Sequence, residues 1–181
     1  EQLITTANYW DWTEHPSVFV GDPHGYWLFQ SATWLYNLSL PDFLHIPILA
    51  AGPAPPAVRE GDHWTATIAL RDGFMWSNGE PVTAEDFAFT ANTISGFGLG
   101  GWEFAHPTMV PDDPETEENE AVRWVESVEA IDPLTVEITF APSEAPPGLW
   151  LYQNGILMLP ILPEHFWGPV VEGCASDPDP A

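Results

Sequence analysis

Between residues 64 and 90 the chain changes its hydrophobic period from two to that of a helix, across two glycine turns, and few folds accommodate that switch. Trp64, Ala66, Ile68 and Leu70 alternate with Thr65, Thr67 and Arg71, the pattern of a strand with one buried face. Asp72-Gly73 ends the strand, and Ser77-Asn78-Gly79 supplies a second turn in which glycine reaches positive φ. Pro81-Val82-Thr83-Ala84-Glu85-Asp86 then reads as a helix start. Thr83 can cap free backbone amides, while Glu85 and Asp86 sit at the positive end of the dipole. The helix is predicted to reach about Ile94 and stop at Ser95-Gly96, burying Phe87, Ala91 and Ile94 with Phe89 nearer the edge.

The flanking segments add more strand than helix. Residues 122–130 and 134–140, joined at Ile131-Asp132-Pro133, alternate at Val122, Trp124, Val136, Ile138 and Phe140 and predict an antiparallel hairpin. Residues 27–38, with apolar Trp27, Leu28, Trp34, Leu35 and Leu38, predict a partly buried helix. Two proline-rich breaks, Gly52 to Pro56 and Pro142 to Pro147, read as stiff surface connections. Residues 111–120 form an acidic loop that self-repulsion keeps solvated. An apolar segment, 148–162, precedes a proline-first helix start at Pro163, and the tail from Gly173 is expected to fray. The fold class is mixed, α/β with α+β character.

Charge narrows the function. The 181 residues hold 27 acids, no Lys and only Arg59, Arg71 and Arg123, a formal net charge of -24. Nucleic acid and anionic membranes require clustered cations, so both are excluded as partners. With 45% hydrophobic residues and ten Trp the chain should fold despite its charge. Its length allows one medium domain or a piece of something larger. Cys174 is the single cysteine, so no intrachain disulfide forms. Gly173-Cys174-Ala175-Ser176 resembles a lipoprotein cleavage site only superficially, at the wrong end of the chain. No apolar run approaches the roughly 20 residues of a membrane span. The chain opens at Glu1 without Met, so a leader is expected to have been removed or left out.

Catalytic and metal motifs are not visible. No two of the six histidines (His15, His24, His45, His63, His106, His165) have the i, i+4 spacing of a helical zinc pair, so neither metal nor cofactor is expected. There is no G-x-S-x-G elbow, and the acidic pairs Glu85-Asp86 and Asp112-Asp113 read as solvated surface in so acidic a chain. The Asn37-Leu38-Ser39 sequon is near chance. Most of the tryptophans are expected to fill the core, although such rings also wall peptide or sugar clefts.

Three segments together resemble one family, the family 5 solute-binding proteins of ABC importers of the dipeptide, oligopeptide and nickel type. The first runs from Trp64 through Arg71-Asp72-Gly73, Trp76-Ser77-Asn78-Gly79 and Pro81 to Thr83-Ala84-Glu85-Asp86 and Thr90. It is similar to that family's strand, "LRDG", "W-S-D/N-G-x-P-x-T-A-E-D" and helix. The second, Val125 to Phe140 with Asp132 and Thr135, resembles its hairpin; the third, Ile161-Leu162-Pro163-Glu164-His165-Phe166-Trp167, resembles its "iLPkHiw". The likeness covers about residues 61–167, and Asn78 stands where Asp is commoner.

The resemblance implies a periplasmic-binding-protein-like type II fold, here the N-terminal lobe with its β-rich inserted subdomain and without the second lobe. It divides the chain into 1–60, a poorly matched start of lobe one; 61–172, the family subdomain; and 173–181, a flexible tail or truncation point. The signature residues Arg71, Asp72, Gly73, Trp76, Asn78, Gly79, Pro81, Thr83, Glu85, Asp86, Asp132, Thr135 and Pro163 are expected to build the fold. Ligand contact is expected instead from Trp10, Trp12, Trp102 and Phe104. The implied function is an extracytoplasmic receptor that is not an enzyme, binding a peptide or related small solute and delivering it to ABC permease subunits. Such a receptor is a monomer at full length, with lipid anchoring left open. Loss of the second lobe would expose apolar surface and lower solubility. The alternative is a free-standing acidic β-rich interaction domain, which a stop codon directly after Ala181 would favour. The acidity itself reads as adaptation to concentrated salt.

Overall fold

The computed structural model describes residues 33–39, 42, 44–96, 110–111, 121–122, 125–148, 152 and 156–175. Its centre is a four-stranded antiparallel sheet in the order β4-β5-β9-β8, built from Val58–Glu60, His63–Ala69, Thr135–Phe140 and Val125–Asp132. The period-two reading of residues 64–70 holds: Ala66, Ile68 and Leu70 are buried, while Thr67 is exposed. In β9 the same alternation buries Val136, Ile138 and Phe140. Each such side chain removed from water stabilises the fold by about 1.5–3 kcal/mol.

Helix α1 (Ala84–Gly96) lies across β8 and β9 and closes the core with Phe87 and Ala91, as the sequence predicts. Phe89 is half-buried at the margin. Asn92 on the same helix donates through Nδ2 to the Val128 carbonyl at 2.9 Å, tying α1 to the sheet. The hairpin turn is shorter than expected. β8 continues through Ile131 and Asp132, and Asp132 Oδ1 accepts the Leu134 amide at 2.8 Å across the turn. β8 also breaks strict alternation, because register shifts between Val125 and Ser127 and between Ala130 and Asp132 bring Val125 and Val128 inward, three residues apart. Bulges of this kind let one strand present a different face along its length. Val122 belongs to a separate short ladder, β7 (Ala121–Val122) with β6 (Val110–Pro111). Trp124 and the acidic residues 112–120 lie outside the described residues.

The expected helix over 27–38 is not formed where the structure describes it. Residues 33–39 are two short strands, β1 (Thr33–Trp34) and β2 (Tyr36–Ser39), separated at Leu35. β2 pairs with β3 (Leu44–Pro47), and β1 pairs with β10 (Pro160–Ile161) near the other end of the chain. Leu35 and Tyr36, adjacent in sequence, are both buried. The break between the strands permits this, and the Leu35 carbonyl accepts the amides of Ile48 and Ala50. A short hairpin with β3 and long-range pairing with β10 thus override a local apolar spacing that imitates a helix.

The first proline-rich break is held to the core more closely than a surface connection. Tyr36 Oη donates to the Gly52 carbonyl at 3.0 Å and Tyr152 Oη to the Pro55 carbonyl at 2.7 Å. Burial pushes the Tyr36 phenol up to about 12; burial, followed by the neighbouring Tyr36, raises Tyr152 as well. Tyr152 also packs edge-on against Phe140, with ring centroids 5.4 Å apart. After the single 3-10 turn Ile156–Met158 and β10, Pro163 leads into helix α2 (Glu164–Ala175), which carries Pro169 in its interior and packs on α1. The four described tryptophans, Trp34, Trp64, Trp76 and Trp167, pack partly buried against the core.

Candidate functional site

The signature residues converge on one junction, where the strand leaving β5, the start of α1 and the start of α2 meet. At Arg71 the backbone amide donates to the Leu49 carbonyl at 2.7 Å and the guanidinium reaches the Pro47 carbonyl at 3.4 Å. Asp72 Oδ1 accepts the Gly73 amide at 2.7 Å. Gly73 and Gly79 take φ of 89° and 90°, angles that L side chains resist. Trp76 and Glu80 then pair through the Trp76 amide and the Glu80 carbonyl at 2.8 Å, while Met75 bridges Pro81. Asn78 Oδ1 closes the turn by accepting the Glu80 amide at 3.0 Å.

The cap of α1 runs in the reverse sense to the one expected. Asp86 Oδ2 reaches back to accept the Thr83 amide at 2.9 Å and also accepts Trp76 Nε1 at 3.0 Å. Its other oxygen, Oδ1, accepts the Glu164 amide at the first residue of α2, 2.9 Å away. The residue is only 4% exposed, so this carboxyl exchanges water for three donors at once. One turn further along, the Thr90 hydroxyl donates to the Asp86 carbonyl at 2.8 Å and accepts the Leu162 amide at 2.9 Å. The Thr-x-x-Asp spacing of a capping box signals the local half of this arrangement; nothing in the sequence pattern signals the distant half. Glu85 is exposed, and Asp132 and Thr135 face each other across the β8–β9 turn. The Pro163 carbonyl accepts the amides of Phe166 and Trp167 as α2 begins.

Beside this junction an open groove of about 320 Å³ separates α1 from α2, lined by Phe89, Asn92, Thr93, Glu164, Gly168, Val171 and Glu172. Partial burial first, then the charges of Glu85 and Asp86, hold the Glu164 carboxyl above the usual range. The expected ligand contacts, Trp10, Trp12, Trp102 and Phe104, all lie outside the described residues. Among the described residues no group of His, Cys, Asp and Glu is arranged to hold a metal, and no helix is long and apolar enough to cross a membrane.

A central antiparallel sheet with one helix across it and a second docked on the first is the fold seen at the corresponding place in substrate-binding proteins of the periplasmic-binding-protein-like type II class. AppA of Bacillus subtilis, solved in complex with a nonapeptide, matches 86% of this chain and 26% of its own at a TM-score of 0.56 and 16% identity. The ABC transporter substrate-binding protein CtaP of Listeria monocytogenes matches 79% of this chain and 25% of its own at a TM-score of 0.50 and 26% identity. In sequence, the oligopeptide-binding protein OppA of Lactococcus lactis subsp. lactis is 27% identical over 118 residues, 64% of this chain and 19% of that protein. Residues 47–173 match the family described as bacterial extracellular solute-binding proteins, family 5 Middle, and the chain belongs to that family. The resemblance carried by the strand, turn and helix signature is therefore borne out, as is the fold class. The chain spans about a fifth of the curated relative and about a quarter of the solved structures.

Proposed function

We propose that this chain is part of the solute-binding component of an ABC importer, which takes up a peptide or related small solute outside the cytoplasm and delivers it to the permease. The observation that carries this reading is the family match over residues 47–173, which includes the whole junction around Asp86. Its relatives agree with it, since OppA of Lactococcus lactis and AppA of Bacillus subtilis are oligopeptide-binding proteins. Within the proposal, 61–172 is the family subdomain, 1–60 the start of the first lobe and 173–181 a tail whose first three residues still belong to α2. The full-length receptor is a monomer. Trp10, Trp12, Trp102 and Phe104 are the proposed aromatic walls of the ligand cleft. Binding would proceed by hinge closure, a shift toward a closed form that the permease recognises.

Calorimetric titration of the full-length protein with a peptide library tests the reading. Saturable binding of at least one peptide is expected, weakened roughly tenfold or more by Trp102→Ala or Trp10→Ala if these rings touch ligand. Absence of binding to every peptide and small solute tried would overturn the function. Unchanged affinity in all four aromatic variants would overturn the assignment of the cleft alone.

A further inference from the structure

His165, the second residue of α2, reaches over the 77–80 turn and is held at both ring nitrogens. Nε2 lies 2.8 Å from Asn78 Nδ2, and Nδ1 lies 2.9 Å from Glu80 Oε2. The Asn78 amide is not free to turn, because its Oδ1 already accepts the Glu80 amide at 3.0 Å. An amide NH2 only donates, so Nε2 must accept; the ring is then neutral and carries its proton on Nδ1, where it donates to Glu80. We propose that Asn78 and His165 form a proton-sensitive latch between the signature turn and α2, closed with neutral imidazole and opened when Nε2 takes up a proton.

The chemistry leaves the protonated ring no equivalent arrangement. An Nε2–H would face the Asn78 NH2, donor against donor; turning the amide to offer Oδ1 would strip the Glu80 amide of its acceptor. In the first case the bond across the junction is lost; in the second it is kept only by breaking the Asn78–Glu80 bond that shapes the turn. The charges at the junction pull in the opposite direction. Glu80 touches the ring, Glu164 precedes it on α2, and Glu85 and Asp86 of α1 face Glu164. The two described arginines are engaged elsewhere, at the Gly61 and Pro47 carbonyls. Acidic neighbours draw a proton onto imidazole while the Asn78 bond penalises it, and a latch that responds to pH needs this opposition. Opening is local, because the first residue of α2 stays bound to Asp86 through the Glu164 amide.

His63 makes the contrast within the same molecule. Its Nε2 lies 3.2 Å from Asp62 Oδ1 and its Nδ1 lies 2.8 Å from Glu126 Oε2, the latter close in distance but outside hydrogen-bond alignment. Facing a carboxylate at each nitrogen, that ring meets no donor and gains attraction on protonation. Asn78→Asp should turn His165 into a ring of the same kind.

The test is nitrogen-15 spectroscopy of the histidine rings of the full chain as a function of pH. The neutral His165 ring is expected as the Nδ1–H tautomer, with its coupling to the Asn78 side chain lost on acidification. In Asn78→Asp the introduced carboxylate can accept from Nε2–H, so the contact with the turn should survive in acid. A neutral Nε2–H tautomer, or loss of the contact in acid by the variant as well as by the wild type, would overturn the proposal. If the variant fails to fold, the wild-type tautomer decides the question by itself.

Discussion

Asp86 uses both carboxylate oxygens on partners that other residues could not serve together. Two of its donors are backbone amides at helix starts, and the third is the indole of a half-buried tryptophan. Asp86→Ala leaves all three partly buried donors without their acceptor and should destabilise the full chain by about 3 kcal/mol in urea unfolding, with Asp86→Asn costing less because one oxygen remains. Losses below about 1 kcal/mol in both variants would show that the junction does not depend on this carboxyl. Glu164 behaves differently. Its folded-state pKa is raised, so its contribution is most favourable below the carboxylate range of the unfolded chain and is lost as pH rises through the folded value. Glu164→Gln should therefore melt above the wild type at neutral pH, and the two should converge as pH falls toward about 4. A variant that melts lower at neutral pH would contradict the sign.

At the scale of elements, what could be read from the sequence was what is settled locally. The β5 strand, the turns at Gly73 and Gly79 and helix α1 each announce themselves within a few residues, through alternation, positive φ and a capping box. The segment around Trp34 and Leu35 is strand rather than helix because β2 pairs in a hairpin with β3 and β1 is fixed by β10, more than 120 residues away, a partner that no local pattern reveals. The bulges of β8 also hide its inward face, since Val125 and Val128 sit three residues apart and break the period of two expected of a strand. The contacts of Asp86 with α2 and of His165 with Asn78 join segments 78 and 87 residues apart, and only the folded molecule places them together. The proposed ligand residues rest on aromatic chemistry and their place along the chain, not on any motif spacing. The sheet itself makes a sharper prediction. Ile138, 0% exposed in the centre of β9, should cost about 3 kcal/mol when changed to Ala, whereas Thr67→Ala, exposed on neighbouring β5, should stay within about 0.5 kcal/mol; chemical denaturation of both variants checks the ranking.

For the whole molecule, charge is the dominant fact. A net charge of -24 with no lysine leaves the acids to repel one another, and the described arginines bond backbone carbonyls. Screening shortens from about 10 Å at 0.1 M salt to about 3 Å at 1 M, so the melting temperature of the full chain should climb steadily into molar KCl. A flat or falling profile would sink the reading of the acidity as adaptation to salt. The junction at Asp86 also sets an order of events in time. One oxygen finds its partners within ten residues, at Trp76 and Thr83, whereas the other waits for a residue 78 positions later. Short loops close far sooner than long ones. As the chain is made from its amino end, the socket is complete before its plug exists, so pulsed hydrogen exchange during refolding should protect the Thr83 amide before the Glu164 amide. The docking of α2 is then the closing step at this end of the molecule, and faults arising late in synthesis would appear there first.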